Sequence, residues 1–146
     1  MLIRKVEIND SDDILKWRND PQTYSMFITK KKVSLNEHKE WLKNSLKNPN
    51  IKLYIGYIEN DKIGICRFNF DEKSNSTEVS ITLNPLMRKK KLSFELLSES
   101  INIFKKTNKS VLKATVKKEN YPSIKIFERN GFVEINSNDE FLFYSC

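Results

Sequence analysis

The stretch Glu78-Val79-Ser80-Ile81-Thr82-Leu83-Asn84-Pro85-Leu86-Met87-Arg88-Lys89-Lys90-Lys91-Leu92-Ser93 decides the reading of this chain. Val79, Ile81 and Leu83 alternate with polar residues, which predicts a strand with one buried face. Asn84-Pro85 closes it. After four consecutive cations, Phe94, Leu97, Ile101 and Phe104 recur at helical spacing with Leu96 and Ile103 beside them, so a helix begins near Lys90 to Ser93. A helix start presents unpaired N–H groups and a positive dipole end, and it suits a phosphate group. Flanking lysines add Coulombic attraction. Charge alone leaves the loop a solvated turn, so its role is decided by what surrounds it.

Upstream, Ile3 to Ile8 alternates loosely as a first strand. Ser11-Asp12-Asp13-Ile14 starts a helix with Ser11 as cap, which runs through Trp17 and Arg18 and stops by Pro21. Ser34-Leu35-Asn36-Glu37 is a capping box, and behind it Leu35, His38, Trp41, Leu42 and Leu46 share one helical face. Ile51–Ile55 and Ile63–Phe68 are strands about the turn Glu59–Lys62. Downstream, Ser110–Val116 is a strand. Asn120 caps a helix with Pro122 in its first turn, and Gly131 ends it as a left-handed residue. Phe132–Ile135 and Phe141–Tyr144 are the last strands. The order β-α-α-β-β-β-α-β-α-β-β implies one α/β (α+β) domain over residues 1–146, with a mixed, mostly antiparallel central sheet of about seven strands and helices on both faces.

The chain has 146 residues, 38% hydrophobic and 31% charged, which is ample for a buried core. No apolar run approaches the ~20 residues of a membrane span, and the first residues lack a secretory leader. The expectation is therefore a cytoplasmic protein with no membrane partner. Net charge is +7, which favours anionic partners. Only Arg4, Arg18, Arg67, Arg88 and Arg129 are arginines, so the excess is almost all lysine, and its dispersal lacks the aromatic–basic interleaving of a nucleic-acid binder. Cys66 and Cys146 show no metal-ligand spacing and read as free thiols. No metal is expected.

Two motifs carry a resemblance. Arg88-Lys89-Lys90-Lys91-Leu92-Ser93 is similar to the pyrophosphate loop Arg/Gln-x-x-Gly-x-Gly/Ala of the GNAT acetyltransferase family. Asn120 to Phe132 resembles that family's Asn-x-x-Ser-x-x-x-Tyr-Glu-x-x-Gly-Phe segment, with Asn120, Ser123, Glu128, Gly131 and Phe132 in register. The resemblance implies acetyl-CoA as co-substrate, held by Leu83, Arg88, Lys89, Lys90, Lys91, Leu92, Ser93, Asn120, Ser123 and Phe127. It also implies that the strand ending at Leu83 splays from Val111–Val116. Two departures stand out. Lys91 replaces a glycine, and Phe127 replaces a tyrosine whose hydroxyl would protonate the leaving thiolate.

Trp17-Arg18-Asn19-Asp20-Pro21 and Glu37-His38-Lys39-Glu40-Trp41-Leu42 are similar to the branch that acetylates amino sugars on nucleotide carriers. That implies Arg18, Asn19, His38 and Trp41 as substrate-binding residues, and Met26, in the loop between the first two helices, suits a hydrophobic wall for a deoxy sugar. Arginine offers phosphate a planar fork, although Arg18 also suits a helix C-terminus, and Trp17 and Trp41 also read as core. Glu78 is the candidate general base, with an ion-paired strand residue as the plain alternative. The expected activity is direct acetyl transfer to a primary amine of a small molecule. The alternatives are a protein or peptide N-acetyltransferase and a non-catalytic acyl-CoA-binding module. Monomer and homodimer both remain open.

Overall fold

Alternating residues build a sheet of seven strands in the order β1-β2-β3-β4-β5-β7-β6. In the computed structural model, which describes Met1 to Cys146, these are β1 (Leu2–Lys5), β2 (Ile51–Ile58), β3 (Asp61–Asp71), β4 (Ser76–Leu83), β5 (Val111–Lys117), β6 (Val133–Ser137) and β7 (Phe141–Ser145). Every neighbouring pair is antiparallel except β4 and β5. The mixed, mostly antiparallel sheet expected from the order of elements is present. The β4–β5 crossover runs through α4 (Leu92–Lys105), and α5 (Tyr121–Arg129) links β5 to β6.

Helices cover both faces. On one, α1 (Ser11–Arg18) and α3 (Leu35–Lys47) bury Val6, Ile14, Trp17 and Leu42 against Leu53, Ile55 and Ile65. On the other, Leu97, Ile101 and Phe104 of α4 and Phe127 of α5 pack on Cys66, Phe68, Val79, Leu112, Ala114 and Val116. Phe68 and Phe104 stack with centroids 4.4 Å apart. Gly56 and Gly64 are register partners on β2 and β3 beneath Leu96 of α4. A Cβ on Gly64 would stand 2.5 Å from the carbonyl oxygen of Thr82 and 3.0 Å from a Leu96 methyl, so only glycine allows α4 to lie this close.

Several local expectations need correction. A short helix, α2 (Pro21–Tyr24), follows α1, with Asp20 capping it by accepting from the Thr23 N–H at 3.1 Å. Ser11 is not the cap of α1: that position is Asp10, and the Ser11 hydroxyl is buried without a partner. On α3 the buried positions are His38, Leu42 and Ser45, while Leu35 and Leu46 are exposed. Asn120 caps α5 by accepting from the Ser123 N–H, and Gly131 takes φ 88°.

Candidate functional site

The sheet parts in its middle. β4 and β5 pair only at Ser76–Val111, Thr77–Leu112 and Glu78–Lys113, although β4 continues to Leu83 and β5 to Lys117. On its other edge β4 stays paired to β3, and the Asn84 N–H donates to the Ile63 carbonyl at 2.8 Å. Backbone groups alternate sides along such a strand. The N–H groups of Leu83 and Ile81 therefore point into the opening, free to bind a polar arm. This is the splay the resemblance implied.

The basic loop stands at one end of that opening. After a 3-10 turn (Pro85–Met87) the chain reaches α4 with Lys89 at φ 63° and Lys91 at φ 60°, ψ 27°. Lys91 thus adopts the left-handed conformation that glycine would take, and it makes no side-chain cap to the helix. The first N–H groups of α4 are left for an anion. The loop residues therefore fit a pyrophosphate, with Lys89, Lys90 and Lys91 exposed around it. Arg88 is differently engaged: its guanidinium pairs with Asp20 and donates to Thr23 Oγ1 at 3.0 Å. That ion pair holds the Asp20 carboxyl below its ordinary range.

The segment from Asn19 to Val33 arches over the opening. Asn19 fixes its far end, with Nδ2 donating to the Val33 carbonyl and Oδ1 accepting from the Val33 N–H, both at 2.8 Å. Lys117, at the end of β5, donates to the Ser25 carbonyl at 3.3 Å, and Lys30 pairs with Glu140 at 3.1 Å. The arch is thereby tied to β4's exit loop on one side and to β5 and the β6–β7 turn on the other. Met26 lies half-buried in it.

Beneath the arch is the face opposite α4. Val79 and Phe68 belong to the α4 side, so Glu78 and Ser80, with Asn69 and Arg67 as their register partners on β3, lie on the other. Glu78 is exposed at the point where pairing to β5 ends. It borders a cleft of about 250 Å³ lined by Lys113, Thr115, Asn136 and Phe143. Trp41 lies under the guanidinium of Arg18, 4.5 Å from the ring centroid, and near that of Arg67 at 5.8 Å.

The structure redistributes several expected roles. Asn19 uses both amide groups on Val33 and clasps the two ends of the arch together. His38 is fully buried, and its Nε2 donates to the Ser11 carbonyl at 2.9 Å, joining α3 to α1. Burial, reinforced by Arg18, lowers its pKa and keeps the imidazole neutral. Phe127 is 2% exposed and edge-on to Phe132, a core residue with no proton to give. Cys66 is fully buried, and desolvation pushes its thiol up to about 12, so it is no nucleophile. Sequence reasoning missed Arg67. Its only signal was one cation in an otherwise apolar run, Ile63-Gly64-Ile65-Cys66-Arg67-Phe68.

Comparison with known proteins agrees with this geometry. A model described as "Acetyltransferase (GNAT) domain" matches residues 1–133. "Acetyltransferase PseH" of Campylobacter jejuni is 28% identical over 142 residues, covering 91% of this chain and 82% of that protein. The spermidine N-acetyltransferase of Vibrio cholerae, solved with CoA and spermine, superposes with a TM-score of 0.85 at 18% identity, covering 99% and 92% of the two chains. A ribosomal-protein-alanine N-acetyltransferase of Brucella melitensis gives 0.82 at 20% identity, covering 100% and 99%.

Proposed function

Since the chain belongs to the GNAT acetyltransferase family and is an acetyl-CoA-dependent N-acetyltransferase, we propose that its acceptor is the primary amine of a small molecule, an amino sugar on a nucleotide carrier. The observation that carries this reading is the placement of Glu78. It is the last β4 residue paired to β5, exposed on the face opposite α4, where Arg67 of β3 shares the Trp41 ring with Arg18. The resemblance of the Trp17–Pro21 and Glu37–Leu42 segments to the amino-sugar branch supports the same acceptor.

When bound, acetyl-CoA supplies an activated acetyl thioester. The Lys91–Ser93 backbone with Lys89 and Lys90 would hold its pyrophosphate, and the N–H groups of Leu83 and Ile81 its extended arm, with the Leu83 N–H available to the thioester oxygen. Asn120 and Ser123, at the start of α5, would hold the same ligand, as the resemblance implies. Glu78 takes a proton from the amine, directly or through water, so that the nitrogen lone pair is free. No side chain has to be acylated. Solvent supplies the proton that Phe127 cannot.

The test is a CoA-release assay against nucleotide-linked amino sugars, N-terminal peptides and spermidine. Turnover confined to the sugars supports the proposal, and turnover confined to peptides or spermidine refutes it. Binding of acetyl-CoA without turnover on any of the three amine classes also refutes the proposed acceptor. Glu78→Gln is expected to lower kcat/KM about 100-fold or more and to remove the limb of the pH–rate profile that belongs to the base. A profile of unchanged shape would exclude Glu78.

A further inference from the structure

Two arginines on the acceptor-side face have no partner. Nη1 of Arg18 and Nε of Arg67 are buried without any hydrogen bond. Other cations set into the fold are paired: Arg4 and Lys62 with Asp10, and Arg88 with Asp20. Arg18 and Arg67 instead share the ring of Trp41. Burial lowers the pKa of both, and Arg67 adds its repulsion to Arg18. Glu78 attracts Arg67 from β4 but forms no ion pair with it. Two half-buried like charges beside one another, each with a buried nitrogen left unpaired, destabilise the free protein. The indole offsets part of this, yet an apolar side chain at position 67 would continue the Leu53–Ile65 surface with no such penalty.

We propose that Arg67, together with Arg18 and the Trp41 ring, forms a receptor for a phosphate or diphosphate group on the acceptor. Guanidinium forks match the oxygens of phosphate two at a time, and the adjacent charges suit a group with more than one negative charge. The position fits the acceptor site described above, on which this inference rests. Arg67 is opposite Ser80 on β4, and Glu78 is the next residue on that face. Diagonal neighbours across strands are about 7–8 Å apart, a span that one sugar ring fills between its phosphate and its amine. The same charges repel a polyamine, so this site differs in kind from one that accepts spermidine.

Titration calorimetry with UDP and with inorganic pyrophosphate, on protein saturated with desulfo-CoA, tests the receptor with the CoA site already filled. The wild type is expected to bind UDP, and Arg67→Gln and Arg18→Gln each to weaken it about tenfold or more, consistent with loss of a charge-assisted hydrogen bond. Arg67→Lys retains part of the affinity, and affinity for desulfo-CoA is unchanged throughout. Without nucleotide, Arg67→Met melts above the wild type because a half-buried, unpaired cation has gone, whereas replacing an arginine kept for structure would lower the melting temperature. Absence of UDP and pyrophosphate binding at millimolar concentration, or UDP affinity unaltered by Arg67→Gln, overturns the proposal. Glu78→Gln separates it from the acceptor-site reading. That variant keeps its UDP affinity while losing turnover, so unchanged turnover counts against the acceptor site and unchanged UDP affinity in Arg67→Gln counts against the receptor.

Discussion

At Lys91 the backbone holds φ 60° at an exposed loop position, in the region where a Cβ crowds the following carbonyl. For an L-residue this costs roughly 1–2 kcal/mol, and glycine would take it freely. The loop therefore keeps the shape of a glycine-bearing pyrophosphate loop and adds a cation at the price of local strain. Lys91→Gly should stabilise the fold by about 1 kcal/mol, read from urea denaturation. It should also weaken acetyl-CoA binding only modestly, and more at low salt than at high, because the lost contribution is Coulombic. A destabilised Lys91→Gly protein would mean that the lysine stem makes contacts that outweigh its backbone strain. At Phe127 the departure acts in the opposite sense, since the ring packs in the core and leaves no acid for the leaving group.

At the scale of elements, the placement of α4 governs the loop, because the loop ends where α4 begins. Leu96 rests over Gly56 and Gly64. A methyl at position 64 would press on the Thr82 carbonyl of β4 and on Leu96 at once, and overpacking of this kind costs about 1–3 kcal/mol. Gly64→Ala should lower the melting temperature and weaken CoA affinity together, since relief requires α4 or β4 to shift; intact CoA affinity in a destabilised variant would show that the strain is absorbed elsewhere. The strands, the crossover helix and the caps at Ser34 and Asn120 were legible because period, capping chemistry and proline position are local. The helical stripe of α3 was over-read at Leu35 and Leu46. A stripe records which side chains share a direction, while the sheet beneath decides how far along the helix burial extends. The arch and the Arg18–Arg67 pair were not legible, because they depend on contacts between segments far apart in sequence, such as Arg88 with Asp20 and Arg67 with Trp41. Asn19 shows the same limit: its residue type suited a ligand, and only the proximity of Val33 reveals a clasp.

Over the whole molecule, two buried polar groups tie separate elements together and set the response to acid. Asp10 is 2% exposed, yet it accepts two hydrogen bonds of 2.8 Å from Arg4 on β1, one of 2.8 Å from the Glu7 N–H, and an ion pair of 2.9 Å from Lys62 on β3. Burial alone would raise its pKa, but these partners override it and hold the carboxyl well below its ordinary value of 3.8. His38, buried between α1 and α3, is shifted down from 6.5, first by desolvation. The signs follow from proton uptake. Below pH 6.5 the unfolded chain protonates its histidine while the folded chain resists, so stability falls as pH drops from 6.5 towards the depressed folded value. Below 3.8 the unfolded aspartate protonates while Asp10 resists, and a second loss continues until Asp10 itself is titrated. Chemical denaturation from pH 8 to 3 should therefore show two descending limbs. His38→Gln, which keeps an N–H to reach the Ser11 carbonyl, should flatten the upper limb alone. Asp10→Asn should lower stability at pH 7 by about 2–3 kcal/mol, moderated from the cost of a fully buried broken pair because Arg4 and Lys62 retain about a third of their side-chain exposure, and should flatten the lower limb. A wild-type profile level between pH 7 and 5 would show that the histidine between the two helices is protonated as readily folded as unfolded, and would remove it from the set of groups that couple this fold to pH.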